Sequence, residues 1–183
     1  MNDKTNSVDF AVVVPVFNSQ DTLEELFDRT EKVFDKLDKT FEVIFVDDGS
    51  RDKSWEVLKA LKKAHPEKVK AIRLSKNYGQ HNALFCGLGF VNESHVITMD
   101  DDLQTPPEEI EKLITKYNES EADLVYGYYK RKKHNFLRNF GSKLLKKSSK
   151  HLYDAPGEGS SFKLVENKLV KNILNHYQNF VYI

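Results

Sequence analysis

Four times in its first hundred residues the chain enters an apolar, β-branched block that stops at a cluster of turn residues: FAVVVPV at 10–16, FEVIFV at 41–46, VKAIRL at 69–74 and VITM at 96–99. This recurrence constrains the fold more than any other feature. Near-continuous apolar strands read as buried on both faces, the condition of a parallel sheet covered by helices. The intervening segments supply those helices. Leu23, Leu26, Phe27, Val33, Phe34 and Leu37 recur at helical spacing, as do Trp55, Leu58 and Leu61. A small-residue helix is expected over residues 80–91, a fourth helix over 108–117 and a fifth strand, DLVYGY, over 123–128. Thr22-Leu23-Glu24-Glu25 and Thr105-Pro106-Pro107-Glu108 have the form of capping boxes, the second with proline in the first turn. Five strands alternating with four helices predict a doubly wound α/β fold, a mostly parallel sheet flanked by helices, because parallel neighbours need crossover connections.

In such a sheet the turns after strands one to four open on one edge, where ligands bind. Gathered there are Phe17-Asn18, Asp47-Asp48, Lys76-Asn77 and the run DDDLQ at 100–104. Asp100, Asp101 and Asp102 repel one another and have no basic neighbour. They call for a cation, and a hard divalent metal with oxygen ligands is the natural candidate; an acidic surface turn is the plainer alternative. The assembled types suit a nucleotide. Phe17 can stack on a base, Asp48 can accept from a base imide or ribose hydroxyl, and Lys76 with a metal on the acids can neutralise a diphosphate. Taken singly, Asn18 and Asp48 are also ordinary turn residues, Phe17 a core residue and Lys76 a solvated lysine.

Several chemistries are excluded. GLGFVN at 87–92 lacks the third glycine of a dinucleotide fingerprint and falls within a helix, and there is no Walker loop. No Gly-x-Ser-x-Gly nucleophile elbow occurs. His81 and Cys86 stand five apart, off the spacing that aligns two ligands on a helix, so no zinc site is expected. Cys86 is the only cysteine, which excludes an internal disulfide and fits a reducing compartment. The amino end, MNDKTNSVDF, has no signal-peptide apolar region, and no apolar run approaches the ~20 residues that span a bilayer. The chain as it stands reads as soluble and unexported.

Lys plus Arg equals Asp plus Glu at 28 each, so overall charge names no partner. Local charge does. Residues 129–150 hold nine Lys or Arg and no acid, with Phe136, Leu137, Phe140, Leu144 and Leu145 at helical spacing beneath them. That predicts a cationic amphipathic helix suited to an anionic membrane surface, a solvated surface helix being the alternative. Nucleic acid is the weaker partner, since the charge follows one helix rather than an aromatic-lined groove. A glycine-rich loop at 154–159, a short segment at 160–165 and a helix at 166–175 follow. The apolar end NFVYI, without cap or turn, is expected to be a truncation.

VVVPVFN, FEVIFVDDGSRD, LSKNYGQHNAL, MDDDLQTPPEEI and YGYYKRKKHNFLRNFGSKL, in this order and spacing, resemble the family 2 glycosyltransferases of the GT-A fold, and within them the polyprenyl-phosphate glycosyltransferases. The resemblance spans residues 10–170. It implies one catalytic domain over residues 1–183, truncated at its C-terminus. Residues 1–128 would form a Rossmann-like nucleotide-sugar-binding half, and 129–183 an incomplete acceptor- and membrane-proximal part. The implied reaction is metal-dependent, inverting transfer of a sugar from a UDP- or GDP-sugar to a polyprenyl phosphate at the cytoplasmic face of the membrane. Transfer to a saccharide hydroxyl in polysaccharide synthesis is the first alternative. A catalytically silent nucleotide-sugar or membrane-binding module is the second, and a homo-oligomer stays open.

Carried over by motif, Pro15, Phe17 and Asn18 border the base, and Asp48 with Asp47 holds base or ribose. Lys76 and Asn77 belong to the loop over the nucleotide. The Asp-x-Asp pair falls on Asp100 and Asp102, which with Gln104 would hold Mg²⁺ or Mn²⁺. Asp101 stands between them beside the nucleotide-sugar. Arg131, Lys132, Lys133 and Arg138 would meet the acceptor phosphate and the membrane. One departure is informative. Many relatives carry an acid, read as the catalytic base, before the Phe-Arg-Leu that Phe162-Lys163-Leu164 resembles, and this chain has Ser161. Glu158 is the reserve candidate for a base.

Overall fold

Each apolar block becomes a strand. The computed structural model describes residues 9–127 and 161–175, all within one unit of the chain. The elements are β1 (Phe10–Val16), α1 (Leu23–Leu37), β2 (Phe41–Asp47), α2 (Ser54–Ala64), β3 (Val69–Arg73), α3 (Gln80–Leu88), β4 (His95–Thr98), α4 (Ile110–Asn118), β5 (Leu124–Tyr126), β6 (Lys163–Glu166) and α5 (Asn167–Leu174). β1 and β2 are buried at every position, the two-faced burial their composition predicts. The sheet order is β3-β2-β1-β4-β6-β5. β1 pairs in parallel with both β2 and β4, and β2 with β3. The chain therefore winds outward from β1 to β3 and then crosses to the other side of β1. The winding reverses between β1 and β4, and the loops leaving their carboxyl ends diverge to leave a crevice.

Two apolar layers cover the sheet. Phe27 and Phe34 of α1, Leu58 of α2 and Ile110 of α4 pack with Phe45, Ile97 and Leu164 on one face. Ala83, Leu84 and Leu88 of α3 and Val170 of α5 pack with Val13, Ile44, Val46 and Val165 on the other. Gly87 sets how closely α3 sits. A Cβ there would lie 2.5 Å from Cγ1 of Val13 and 3.0 Å from Cγ2 of Val46, so only glycine allows this approach. The residue that fails as a fingerprint glycine is a packing glycine.

The structure departs from the sequence pattern in four places. Residues 160–165 were expected as a short segment after the glycine-rich loop, yet β6 enters the sheet antiparallel between β4 and β5, making it mixed. Its insertion buries Phe162, Leu164 and Val165. Neither capping box forms. Thr22 Oγ1 donates to the carbonyl oxygens of Asp101 (2.6 Å) and Ser19 (3.0 Å) instead of capping α1. Thr105 makes no cap, because Pro107–Glu109 forms a 3-10 turn ahead of α4, which begins at Ile110. Glu108 of that turn takes a two-pronged bond from Arg29 of α1, at 2.9 and 2.6 Å. Finally, α3 ends at Leu88, short of residue 91, leaving Phe90 half exposed. Among the described residues no helix is long and apolar enough to cross a membrane.

Candidate active site

A cleft of about 310 Å³ opens at the carboxyl ends of β1, β2 and β4, at the point where the winding reverses. Pro15, Val16, Phe17, Asp48, Asn77, Gln80, Asp100, Asp101 and Asp102 line it. Its size is at the small end of the range for ligand pockets, and its lining is unusually acidic.

Asp48 closes one end. Its backbone N–H donates to the carbonyl of Val16 at 2.8 Å, which extends the β1–β2 pairing by one step. Its carboxylate, with the residue 2% exposed, accepts the N–H of Tyr78 at 2.7 Å and of Gly79 at 2.8 Å. Those two bonds fasten the turn after β3 to the turn after β2. Gly49 makes the contact possible: its φ is +71°, and a Cβ there would lie 2.7 Å from the Lys76 carbonyl carbon. Asn77 lines the cleft while its Oδ1 accepts the Gly79 N–H at 3.0 Å. Phe17 is 44% exposed at the mouth, placed to offer a ring face.

At this end three residues that the sequence places at the site are outside the cleft lining. Asn18, at a φ of +54°, stitches turns together: its N–H donates to Ser50 Oγ at 2.9 Å and its Oδ1 accepts the Arg51 N–H at 2.8 Å. Asp47 is fully buried. Its Oδ1 accepts the Ser50 N–H at 2.9 Å, and Oδ2 lies 3.1 Å from Arg73 Nε in an ion pair whose angle falls short of a hydrogen bond. Exposed Lys76 holds its Nζ 5.1 Å over the Tyr78 ring.

The three acids close the other end, each with different partners. Asp100 Oδ1 accepts Gln80 Nε2 at 2.5 Å and its Oδ2 accepts the Ser161 hydroxyl. Asp101 Oδ2 reaches back to β1, accepting the Phe17 N–H at 3.0 Å and the Ser19 hydroxyl at 2.5 Å. Burial pushes the Asp101 carboxyl up, against those hydrogen bonds, which hold it down. Asp102 Oδ1 accepts the Gln104 N–H at 3.0 Å, an Asx turn that carries the chain through Leu103 at a φ of +58°. The side chain of Gln104 does not line the cleft.

Among the described residues no Lys, Arg or His pairs with Asp100, Asp101 or Asp102. Nor does any group of three His, Cys, Asp or Glu there have the spacing to hold a metal alone. With Asp101 committed to β1, Asp100 and Asp102 are the acids left at this end of the cleft to offer oxygens to a cation. That fits a hard cation that keeps most of its ligands from water and a bound anion, as Mg²⁺ does.

Ser161 reaches the acids through strand register. The β4–β6 pairs run from His95 opposite Glu166 to Thr98 opposite Lys163. Two steps further the same register sets Ser161 opposite Asp100, where the hydroxyl bond forms, and Thr98 Oγ1 donates to the Ser161 carbonyl. Glu158, Arg131, Lys132, Lys133 and Arg138 lie outside the described residues. Val16 also lines the cleft without being singled out by the sequence, but Gln80 is the polar residue there that the motifs do not mark. Its signal was its place directly after Tyr78-Gly79, opening a helix at the ligand-binding edge.

The family model "Glycosyl transferase family 2" matches residues 11–175. The undecaprenyl-phosphate 4-deoxy-4-formamido-L-arabinose transferase of Shewanella sediminis is 38% identical over 142 residues, 77% of this chain and 43% of that protein. The protein of the same name from Edwardsiella ictaluri is 37% identical over 135 residues, 74% of this chain and 41% of its own length. The chain thus spans less than half the length of these relatives. Among solved structures, a mannosyltransferase from Pyrobaculum calidifontis in complex with GDP-Man and Mn²⁺ superposes with a TM-score of 0.64 at 19% identity, over 94% of this chain and 48% of that one. Glucosyl-3-phosphoglycerate synthase from Mycobacterium tuberculosis, in complex with Mn²⁺, UDP and phosphoglyceric acid, gives 0.64 at 21% identity, over 88% and 57%. At these identities the likeness is one of fold.

Proposed function

We propose, from the premise that this chain belongs to glycosyl transferase family 2, that it transfers a sugar with inversion from a nucleoside-diphosphate sugar to a polyprenyl phosphate at the cytoplasmic face of a membrane, with Mg²⁺ or Mn²⁺. The observation that carries this reading is one cleft with Asp48 at one end and, at the other, three acids that have no cationic partner among the described residues. The curated relatives named for undecaprenyl phosphate support the acceptor class. Neighbours solved with UDP or GDP-Man and Mn²⁺ support the donor class and the ion.

In this reading Pro15 and Phe17 border the base. Asp48 keeps an acceptor position on each oxygen beyond the backbone bond it already takes, and offers it to a base imide or ribose hydroxyl. Asn77, with Lys76 beside it, flanks the nucleotide. Asp100 and Asp102 are the residues that would hold the ion; Gln104 stands behind them through its backbone bond to Asp102. When bound, the ion offsets the charge that grows on the departing diphosphate. Asp101 keeps the β1 turn against the acid turn, so the base end and the diphosphate end hold one spacing.

The acceptor phosphate oxygen bonds to the anomeric carbon as the bond from that carbon to the diphosphate breaks, and the nucleoside diphosphate leaves. A phosphate monoester has its second pKa near 6 and is mostly a dianion at pH 7, so no group need remove a proton from it. That suits Ser161, a hydroxyl donating to Asp100 at the position where the family resemblance implies an acid. Arg131 and Arg138, with the neighbouring Lys132 and Lys133, are the residues proposed to hold the acceptor phosphate and to meet anionic lipid. An alcohol acceptor, by contrast, would need a base. A Ser161→Asp variant that gains orders of magnitude in turnover would refute the phosphate account.

Isothermal titration of UDP, GDP and their sugars, each with Mn²⁺ or Mg²⁺, tests the reading. Binding of one nucleotide class, lost in Asp100→Ala with Asp102→Ala, is expected. No nucleotide binding would overturn the reading, and binding that survives the double substitution would overturn the ion assignment.

A further inference from the structure

Asp100 is held on both carboxylate oxygens by neutral side-chain donors, the Gln80 amide on Oδ1 and the Ser161 hydroxyl on Oδ2. Gln80 opens α3, and its placement is determined on both sides. Before it, the N–H groups of Tyr78 and Gly79 are bonded to Asp48. After it, Gly87 seats the helix against Val13 and Val46. Burial does not hold the Gln80 side chain, which is exposed. Its bond to Asp100 is what gives it direction.

The chemistry of the amide matters. A lysine or arginine at residue 80 would neutralise Asp100 and occupy the place of a cation. An amide donates one N–H, carries no charge and leaves the carboxylate anionic, with further acceptor positions on the same oxygen. With a donor on each oxygen, the plane of the carboxylate is held. Outer groups that orient a ligand in this way are commonly worth 10–100-fold in metal affinity.

We infer that Gln80 is a positioning residue that holds Asp100 in the orientation that takes a divalent cation; the inference rests on the ion reading above. The same three-residue stretch then serves both ends of the cleft, its backbone on Asp48 and its side chain on Asp100. Residues 78–80 thereby tie the nucleoside end to the cation end.

Electron paramagnetic resonance titration of Mn²⁺, with melting temperatures in EDTA and in Mn²⁺, tests this on wild type, Gln80→Ala and Gln80→Glu. Gln80→Ala is expected to weaken Mn²⁺ binding 10–100-fold while its melting temperature in EDTA stays within about 2 °C of wild type, as for an exposed side chain. Gln80→Glu keeps the length but sets a carboxylate against Asp100. It is expected to melt lower in EDTA and to gain more than wild type on adding Mn²⁺. Unchanged Mn²⁺ affinity in Gln80→Ala overturns the inference. Tighter affinity also overturns it, because the amide would then be competing for the oxygen. Loss of affinity matched by a large fall in the EDTA melting temperature assigns Gln80 to the scaffold instead, and likewise overturns it. Wild-type protein that takes up no Mn²⁺ refutes the ion reading itself, an outcome distinct from all of these.

Discussion

Asp48→Asn changes one atom's chemistry and almost nothing of shape, yet it is expected to be costly. Both Asp48 oxygens accept backbone N–H groups, from Tyr78 at 2.7 Å and Gly79 at 2.8 Å, and the residue is 2% exposed. Asparagine offers one acceptor oxygen and one NH₂ that can only donate. Whichever way the amide turns, one of the two backbone N–H groups then faces another donor. One charge-assisted hydrogen bond, worth about 1.5–3 kcal/mol, is lost, and the other falls to neutral strength. The orphaned N–H lies in a partly solvated turn, which keeps the sum near about 2–3 kcal/mol. For a chain of this size that is a fall of roughly 4–12 °C in melting temperature. Asp48→Ala removes both acceptors, so it should cost at least as much as the isosteric change. Thermal denaturation of both variants by circular dichroism, with no nucleotide present, decides the matter. An Asp48→Asn protein melting within 2 °C of wild type refutes the reasoning. An alanine variant melting with wild type would show that these hydrogen bonds do not fasten the turn after β3.

Gly87→Ala trades a helix gain of about 1 kcal/mol against overpacking of about 1–3 kcal/mol, given the 2.5 Å approach to Val13. A lower melting temperature is expected, and a rise would contradict the packing account. Glu42 is nearly buried on β2, and burial pushes its carboxyl above the usual range despite Lys70 at 2.6 Å. The native state therefore binds that proton more tightly than the unfolded chain, and the stability so gained is present at low pH and lost as pH rises through the native value. The melting temperature of Glu42→Gln relative to wild type should thus shift in favour of glutamine between about pH 4 and pH 7; a constant difference would refute this. Burial also pushes the Cys86 thiol up, so in folded protein near neutral pH it should react with a thiol reagent more slowly than in urea, as timed by absorbance. Equal rates would contradict it.

What the sequence alone determines here is whatever rests on near neighbours. Strands 10–16, 41–46, 69–74 and 96–99 and the helices between them are legible because hydrophobic period is local. From parallel strands it follows that their closing turns share one edge, which was enough to bring Asp48 and Asp100 to Asp102 together before any coordinates. Tertiary structure decides partnership. β6 is four residues long, and whether it pairs at all, beside which strand and in which direction, is a contest among distant segments settled by burial of Phe162 and Leu164. Its antiparallel register is what sets Ser161 against Asp100. The same holds for versatile polar side chains. Thr22 reads as a helix cap but bonds the carbonyl of Asp101, and Gln80 reads as a helix residue but bonds Asp100. A hydroxyl or an amide takes whichever acceptor the packed fold brings within reach, and no local pattern encodes that acceptor.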